Sequence, residues 1–273
     1  PASSHATLDA RQQAIVPIAA FAAAGDIARP NGALEQGLDL GMSVSDAREV
    51  LVQLYAYAGF PRSLNALSEL MRVVEARKAR GIEDAPGREP SQPVPKGDAL
   101  LAAGTANQTR LAGAVVEGPL FDFAPVANEY LRAHLFGAIF ERDNLDWQSR
   151  ELATLSMLAA LPGAEAQLQA HMRMSMNIGV SAAQLRQLSE VLGERVTGEA
   201  AERAQQALQR QLHGFQRGGR CDRRQRSLET IADHVAVVGD VVGQHLQPVQ
   251  LRRLGRGQGS DLGVVELNVT IPL

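Results

Sequence analysis

The sequence predicts an all-α protein. Three observations carry that expectation. Apolar residues recur at the 3.6-residue helical period, capping residues stand where those runs begin, and no strand-like alternation occurs before residue 213. The 273 residues are 45% hydrophobic and 21% charged, which is an ordinary globular balance with enough apolar surface for a core that needs no disulfide or metal staple.

Four regions follow one another along the chain. Residues 8–81 read as helices, with Leu8-Asp9 opening the first and Ile18 and Phe21 on its apolar stripe. Residues 82–98 hold Pro86, Pro90, Pro93 and Pro95 and read as a linker over the surface. Residues 99–212 return to helical patterning. In 146–160, Leu152, Leu155 and Leu158 mark a stripe behind Asp146 as N-cap, and Pro162-Gly163 stops the helix. A helix over 164–178 ends at Gly179, and Ser181 with Gln184 matches a capping box that starts a helix through Leu192. Residues 213–273 change to Arg, Gln and Gly and then to valine, and stay unassigned.

The two helical regions resemble each other. Leu8-Asp9 corresponds to Leu145-Asp146, and Ile18 and Phe21 to Leu155 and Leu158 at the same offset. Leu40-Gly41-Met42-Ser43 corresponds to Ile178-Gly179-Val180-Ser181 after a one-residue gap, and Ser43 with Asp46 repeats the cap of Ser181 with Gln184. The spacing is too long for a solenoid repeat and reads as duplication of a small helical domain. The alternative is chance similarity between Ala/Leu-rich helices.

Composition excludes several function classes. A net charge of -3 argues against a nucleic-acid or anionic-membrane partner. Lys78 and Lys96 are the only lysines, so the basic residues are nearly all arginine; with the abundant alanine this reads as coding bias, and scattered arginines carry little weight. Cys221 is the single cysteine, which rules out an internal CxxC pair or a cysteine zinc site. His234 and His245 have no carboxylate at metal spacing, and Gly255-Arg256-Gly257-Gln258-Gly259 does not open a helix after a strand, so neither a metal site nor a phosphate loop is expected. The arginines around Cys221 would lower its pKa, but the preferred reading is an exposed thiol in a poorly specified segment. No apolar run approaches the length of a membrane span. A cytoplasmic location is expected, with the periplasm as the alternative if a signal peptide preceded Pro1.

Three features can carry chemistry. Glu151 lies at i, i+4, i+7 with Leu155 and Leu158, so it points with the apolar stripe, where a desolvated carboxylate suits proton transfer. The alternative is a first-turn Glu complementing the helix dipole. His171 follows Leu168 by three and faces inward on the next helix, across the Pro162-Gly163 turn. A Glu–His pair there would fix one imidazole tautomer and leave the other nitrogen for proton transfer. The alternative is a satisfied core histidine. In the first region Ala14 and Ala33 stand at the corresponding positions. The third feature is Glu49–Asn65, in which Tyr55, Tyr57 and the break Gly59-Phe60-Pro61 either expose backbone groups to a ligand or form a tight helix corner packed by aromatics.

The stretches LDARQQAIVPIAAF, EVLVQLYAYAGFPRSLNAL, YLRAHLFGAIF, LDWQSRELATLSMLAAL and QLQAHMRMSMNIGVSAAQL resemble the carboxymuconolactone decarboxylase family in a tandem two-repeat form. The resemblance spans residues 8–212, with the first repeat at 8–81 and the second, with preceding helices, at 99–212. It implies an all-helical, alkylhydroperoxidase D-like fold and a homo-oligomer, here a trimer of tandem repeats. It implies a cofactor-free, decarboxylase-like enzyme acting on a small unsaturated lactone or carbonyl acid, in which CO₂ leaves, an enolate is stabilised and a proton is delivered. The alkylhydroperoxidase D branch of the family places a CxxC between its Glu and His. Here Gly163 and Ala166 stand there, so a peroxide has no thiolate to meet.

In that reading His171 is the proton donor or acceptor and Glu151 its orienting partner. Arg150 or Arg62 is a candidate clamp for a substrate carboxylate, and Tyr57 a donor to the enolate oxygen. Glu49, Pro61 and Asn65 complete the candidate substrate-binding set. The first repeat keeps Glu49, Tyr57, Gly59, Pro61 and Asn65, and the second keeps Arg150, Glu151 and His171. Complementary decay after duplication would leave one composite pocket. The rival expectation is a non-catalytic oligomeric binding or scaffold protein.

Overall fold

The computed structural model describes residues 7–26 and 28–218. Every regular element among them is helical. The helices are α1 (Ala10–Ala24), α2 (Ala28–Asp39), α3 (Val44–Gln53) and α4 (Tyr55–Ala79), then α5 (Asp98–Ala112), α6 (Pro119–Phe123) and α7 (Pro125–Tyr130). A π-helical segment (Leu131–Ile139) follows, and then α8 (Trp147–Ala159), α9 (Glu165–Asn177), α10 (Ala182–Arg195) and α11 (Gly198–Gly218). The last helix runs past 212, where the compositional boundary falls. Cys221, His234, His245 and Gly255–Gly259 lie outside the described residues.

The starts of these helices are chemically fixed. Asp9 accepts the Gln12 N–H at 2.8 Å while Gln12 accepts the Asp9 N–H, closing a capping box on α1. Ser43 and Asp46 do the same for α3, and Ser181 and Gln184 for α10. Asp146 caps α8 by accepting the Ser149 N–H at 2.8 Å. Gly25, Gly41, Gly163 and Gly179 end helices or turn the chain with positive φ.

Two helices form the centre. From Ala14 to Ala23 on α1, and from Ser149 to Ala159 on α8, every residue is buried. Burial on every side places both helices inside the fold, α1 with an almost wholly apolar surface and α8 with buried polar residues among its apolar ones, and α1 and α8 pack against each other. On one side, α2, α3 and α4 close an apolar cluster that includes Ile15, Ile18, Leu51 and Leu70, and also Ala153 and Met157 from α8. On the other, α9, α10 and α11 close a second cluster with Leu152, Leu155, Leu168 and Leu188, and also Val16 and Ala20 from α1. The earlier and later helices thus share core residues.

A third cluster joins α5 to the π-helical segment through Leu111, Leu135, Phe136, Ile139 and Phe140. The contact is close because Gly104 has no side chain: a Cβ there would lie 1.8 Å from the Arg132 carbonyl oxygen. Asn107 donates to the Phe136 carbonyl at 2.9 Å.

The proline-rich stretch runs over the surface, but it is tied down along its course. Arg77 grips Asp84 with bonds of 2.8–3.0 Å. The carbonyls of Ala85 and Pro86 accept the N–H groups of Val44 and Ser45, donors that open at the start of α3. Ser45 donates to the Arg88 carbonyl at 2.6 Å, and Ser91 donates to Asp143 through both its N–H and its hydroxyl. No helix among the described residues is long and apolar enough to cross a membrane.

Candidate functional site

Glu151 is fully buried on α8 and His171 is 6% exposed on α9. The turn at Pro162-Gly163 folds α9 back on α8 and brings the two side chains together. His171 Nδ1 lies 2.9 and 3.1 Å from the two oxygens of Glu151. An ionised carboxylate only accepts, so the Glu151 carboxylate facing Nδ1 makes that nitrogen the protonated one and leaves Nε2 as the free nitrogen. Among the described residues no hydrogen bond engages Nε2. Ser175, one turn beyond His171, donates to the His171 carbonyl at 2.8 Å and stands 3.4 Å from Glu151 Oε2.

Tyr57 completes this group from the other half of the chain. Its ring meets the His171 ring edge-on, with centroids 5.6 Å apart at 77°. It borders all three apolar clusters. Burial, and then the negative charge of Glu151, hold the phenol well above its ordinary value, so it is protonated at neutral pH. Its hydroxyl lies 3.0 Å from Thr154 Oγ1. The chain reaches this position because α3 ends at Gln53 and Gly59 adopts φ 82, ψ 160, which breaks the run after one turn. Tyr55 and Phe60 stack across the break at 4.6 Å, so the corner is packed by aromatics.

Two further residues belong to a neighbouring ionic cluster rather than to a substrate pocket. Glu49 accepts two bonds from Arg142, at 2.6 and 2.9 Å, and one from Arg150 at 3.0 Å. Burial works to raise its carboxyl, but the bonds from Arg142, Arg150 and Asn144 outweigh it and bring the value to about 2. Arg150 is 0% exposed. Its guanidinium also serves the Arg142 carbonyl at 2.8 Å and Gln53 Oε1 at 3.4 Å, and its Nε is buried without a partner. The expectation that Arg150 clamps a substrate carboxylate is therefore corrected: its fork is already committed inside the protein. Glu49 is likewise removed from the substrate-binding set, because both its oxygens are occupied.

Arg62 and Asn65 lie beyond the Gly59 break. Arg62 donates to the Ala23 carbonyl at 2.6 Å. With Asn65 it lines a small cavity that also includes Gly25, Asp26 and Glu69 but none of Glu151, His171 or Tyr57. Neither Arg62 nor Asn65 joins the Glu–His pair, and the reason is the direction in which the chain leaves Gly59. Pro61 is exposed at the start of the run that follows. At the positions corresponding to the pair, Ala14 and Ala33 sit in the first apolar cluster.

Sequence reasoning missed Gln53, Thr154, Arg142 and Ser175. Gln53 follows Glu49, and Thr154 follows Arg150, by four residues, which is the spacing that puts two side chains on one helix face. Arg142 had no local signal. Among the described residues no group of three or more His, Cys, Asp or Glu side chains could hold a metal ion.

Residues 125–210 match the model of the carboxymuconolactone decarboxylase family. The match includes Arg142, Arg150, Glu151, Thr154, His171 and Ser175, and begins well after the segment that supplies Glu49, Gln53 and Tyr57. No curated protein matches the chain.

Proposed function

We propose that this chain, whose residues 125–210 match the carboxymuconolactone decarboxylase family, is a cofactor-free lyase that moves a proton between His171 and a small unsaturated lactone or carbonyl acid. The observation that carries the reading is the buried Glu151–His171 contact at 2.9 Å with Nε2 free. Loss of CO₂ from the substrate carboxylate leaves an electron pair, which the conjugated carbonyl takes up as an enolate. The enolate carbon then takes a proton from Nε2 of the imidazolium, Glu151 stabilises that cation through Nδ1, and solvent returns the proton. Tyr57, protonated and beside the imidazole, donates to the enolate oxygen. Thiol-dependent peroxide reduction is disfavoured on the sequence, since the one cysteine is Cys221 and Gly163 and Ala166 occupy the CxxC places.

In the same proposal the chain is a tandem duplicate whose first copy, residues 8–81, contributes Tyr57 and whose second, within 99–212, contributes the pair. The parallel caps Asp9/Asp146 and Ser43/Ser181 support it. The assembly would be a homo-oligomer, a trimer of these chains.

The test is CO₂ release from 4-carboxymuconolactone by the parent, His171→Ala and Glu151→Gln, with helix content followed by circular dichroism. A loss of about 10²–10⁴-fold in folded His171→Ala supports the proton-transfer role. Failure of the parent to release CO₂ removes this substrate. The second reading, a non-catalytic oligomeric scaffold, then gains ground. Its supporting observation is that Ala14 and Ala33 make the corresponding place in the first half wholly apolar.

A further inference from the structure

We infer that Gln53 and Thr154 are positioning residues that turn the Tyr57 hydroxyl proton away from the protein, so that Tyr57 stands as a donor to an oxygen of the bound molecule. The carbonyl, carboxylate or enolate nature of that oxygen rests on the functional reading above; the direction of the proton does not.

The direction follows from which groups can only donate and which can only accept. A guanidinium has no acceptor, so the 3.4 Å contact from Arg150 Nη1 makes the facing atom of Gln53 its amide oxygen. The Gln53 NH₂ group then points the other way. It donates one hydrogen to the Arg150 carbonyl at 2.9 Å and the other to Thr154 Oγ1 at 3.1 Å. A backbone carbonyl has two lone pairs. On Arg150 one takes the helical N–H of Thr154, four residues on in α8, and Gln53 takes the other. Thr154 Oγ1 lies 3.0 Å from both that filled carbonyl and the Tyr57 hydroxyl, and it has one proton to give. Both contacts have hydrogen-bond geometry, and we assign the proton to the phenol oxygen because the carbonyl already faces two other donors while the phenol oxygen faces none among the described residues. Thr154 therefore donates to Tyr57, and the phenol proton has no protein acceptor among the described residues.

Gln53 and Thr154 are both 0% exposed, so water does not compete for these bonds. Gln53 is itself held because Arg150 is anchored on Glu49. A single one-way chain of donors thus runs from Arg150 through Gln53 and Thr154 to Tyr57, whose ring lies against His171. Without Gln53 the Arg150 carbonyl regains a lone pair, Thr154 can turn back to it as helix threonines do, and the phenol proton would be drawn to Thr154 instead.

The sign of one titration tests the direction. Accepting a hydrogen bond favours the phenolate, whereas donating one favours the phenol. The three tyrosines, Tyr55, Tyr57 and Tyr130, are replaced biosynthetically by difluorotyrosine, which ionises at lower pH, and are followed by ¹⁹F NMR in the full chain. Exposed Tyr130 is the internal control. In Thr154→Val the proton affinity of Tyr57 rises, by roughly tenfold for one lost bond of ordinary strength. Gln53→Leu moves it the same way, and Thr154→Ser restores the parent value. A fall in Thr154→Val means that Tyr57 donates to Thr154 in the parent and overturns the inference, as does no change. If a variant fails to fold, neutron diffraction of the deuterated parent decides the matter: a deuteron on the Thr154–Tyr57 line that belongs to Tyr57 overturns it, and one that belongs to Thr154 upholds it. Neither measurement needs turnover, so a failed decarboxylase reading and a failed inference appear in different experiments.

Discussion

Glu49 shows how a residue that looks like site chemistry can instead be structure. It is 1% exposed and holds its charge against burial because Arg142 and Arg150 both donate to it. Removing one member of such a cluster leaves a desolvated charge without its partner, at a cost of about 3–5 kcal/mol. Glu49→Gln should therefore lower the denaturant midpoint strongly, and Arg150→Met should do the same with a less than additive double variant. The effect also has a pH signature. The folded value of Glu49, about 2, is below its ordinary 4.5, so its contribution is complete above 4.5 and is lost as pH falls from there toward 2. Between those limits the parent's stability should fall more steeply than that of Glu49→Gln; parallel acid-unfolding curves would contradict it. Glu151 and His171 were legible because each shares a helix face with apolar neighbours. The fate of Arg150 was not, because its partner Glu49 is 101 residues away.

At the scale of elements, the π-helical segment and the proline-rich strap depend on single glycines. Gly104→Ala sets a methyl group 1.8 Å from the Arg132 carbonyl oxygen. Backbone must move to admit it, so the loss should reach at least the upper part of the about 1–3 kcal/mol range for overpacking, read as a lowered melting temperature. An unchanged melting temperature would mean that α5 and the π-helical segment are not in close contact. Gly87 combines φ +75 with a missing Cβ that would stand 2.3 Å from Ser43 Oγ. Gly87→Ala should lift the strap from the start of α3. The measurable result is faster proteolysis between Ile82 and Lys96; cleavage no faster than in the parent would show that the strap tolerates a side chain there. The sequence marked the strap by its prolines, but its pinning by Asp84, Ser45 and Asp143 depends on groups far apart in the chain. Nothing in YLRAHLFGAIF separates a π-helical segment from an α-helix, since the two share the same apolar residues and differ only in which carbonyls are met.

For the whole molecule, the arrangement of clusters leaves apolar side chains outside. Phe60, Leu64 and Met71 are exposed on α4, and Leu120, Phe123, Val126 and Tyr130 along α6 and α7. Monomers rarely leave such faces in water. The proposed homo-oligomer should bury part of this surface. Light scattering should give a mass near three times 29.2 kDa, and Leu64→Glu with Met71→Glu should lower it with helix content intact. A parent that scatters as a single chain would sink the assembly.

The sequence by itself determined the all-helical class, the caps at Asp9, Ser43, Asp146 and Ser181, and the inward direction of Glu151 and His171. These are local properties, set by periodicity and by side chains that reach only a turn or two along the backbone. Tertiary structure alone decided that Arg150 is spent on Glu49, that Arg62 and Asn65 leave the pair, and that Gln53 and Thr154 stand behind Tyr57. Those outcomes depend on which buried donors find which acceptors once α3, α4 and α8 pack. A buried polar group must be satisfied by whatever neighbour the fold brings to it, and residue spacing along the chain does not name that neighbour.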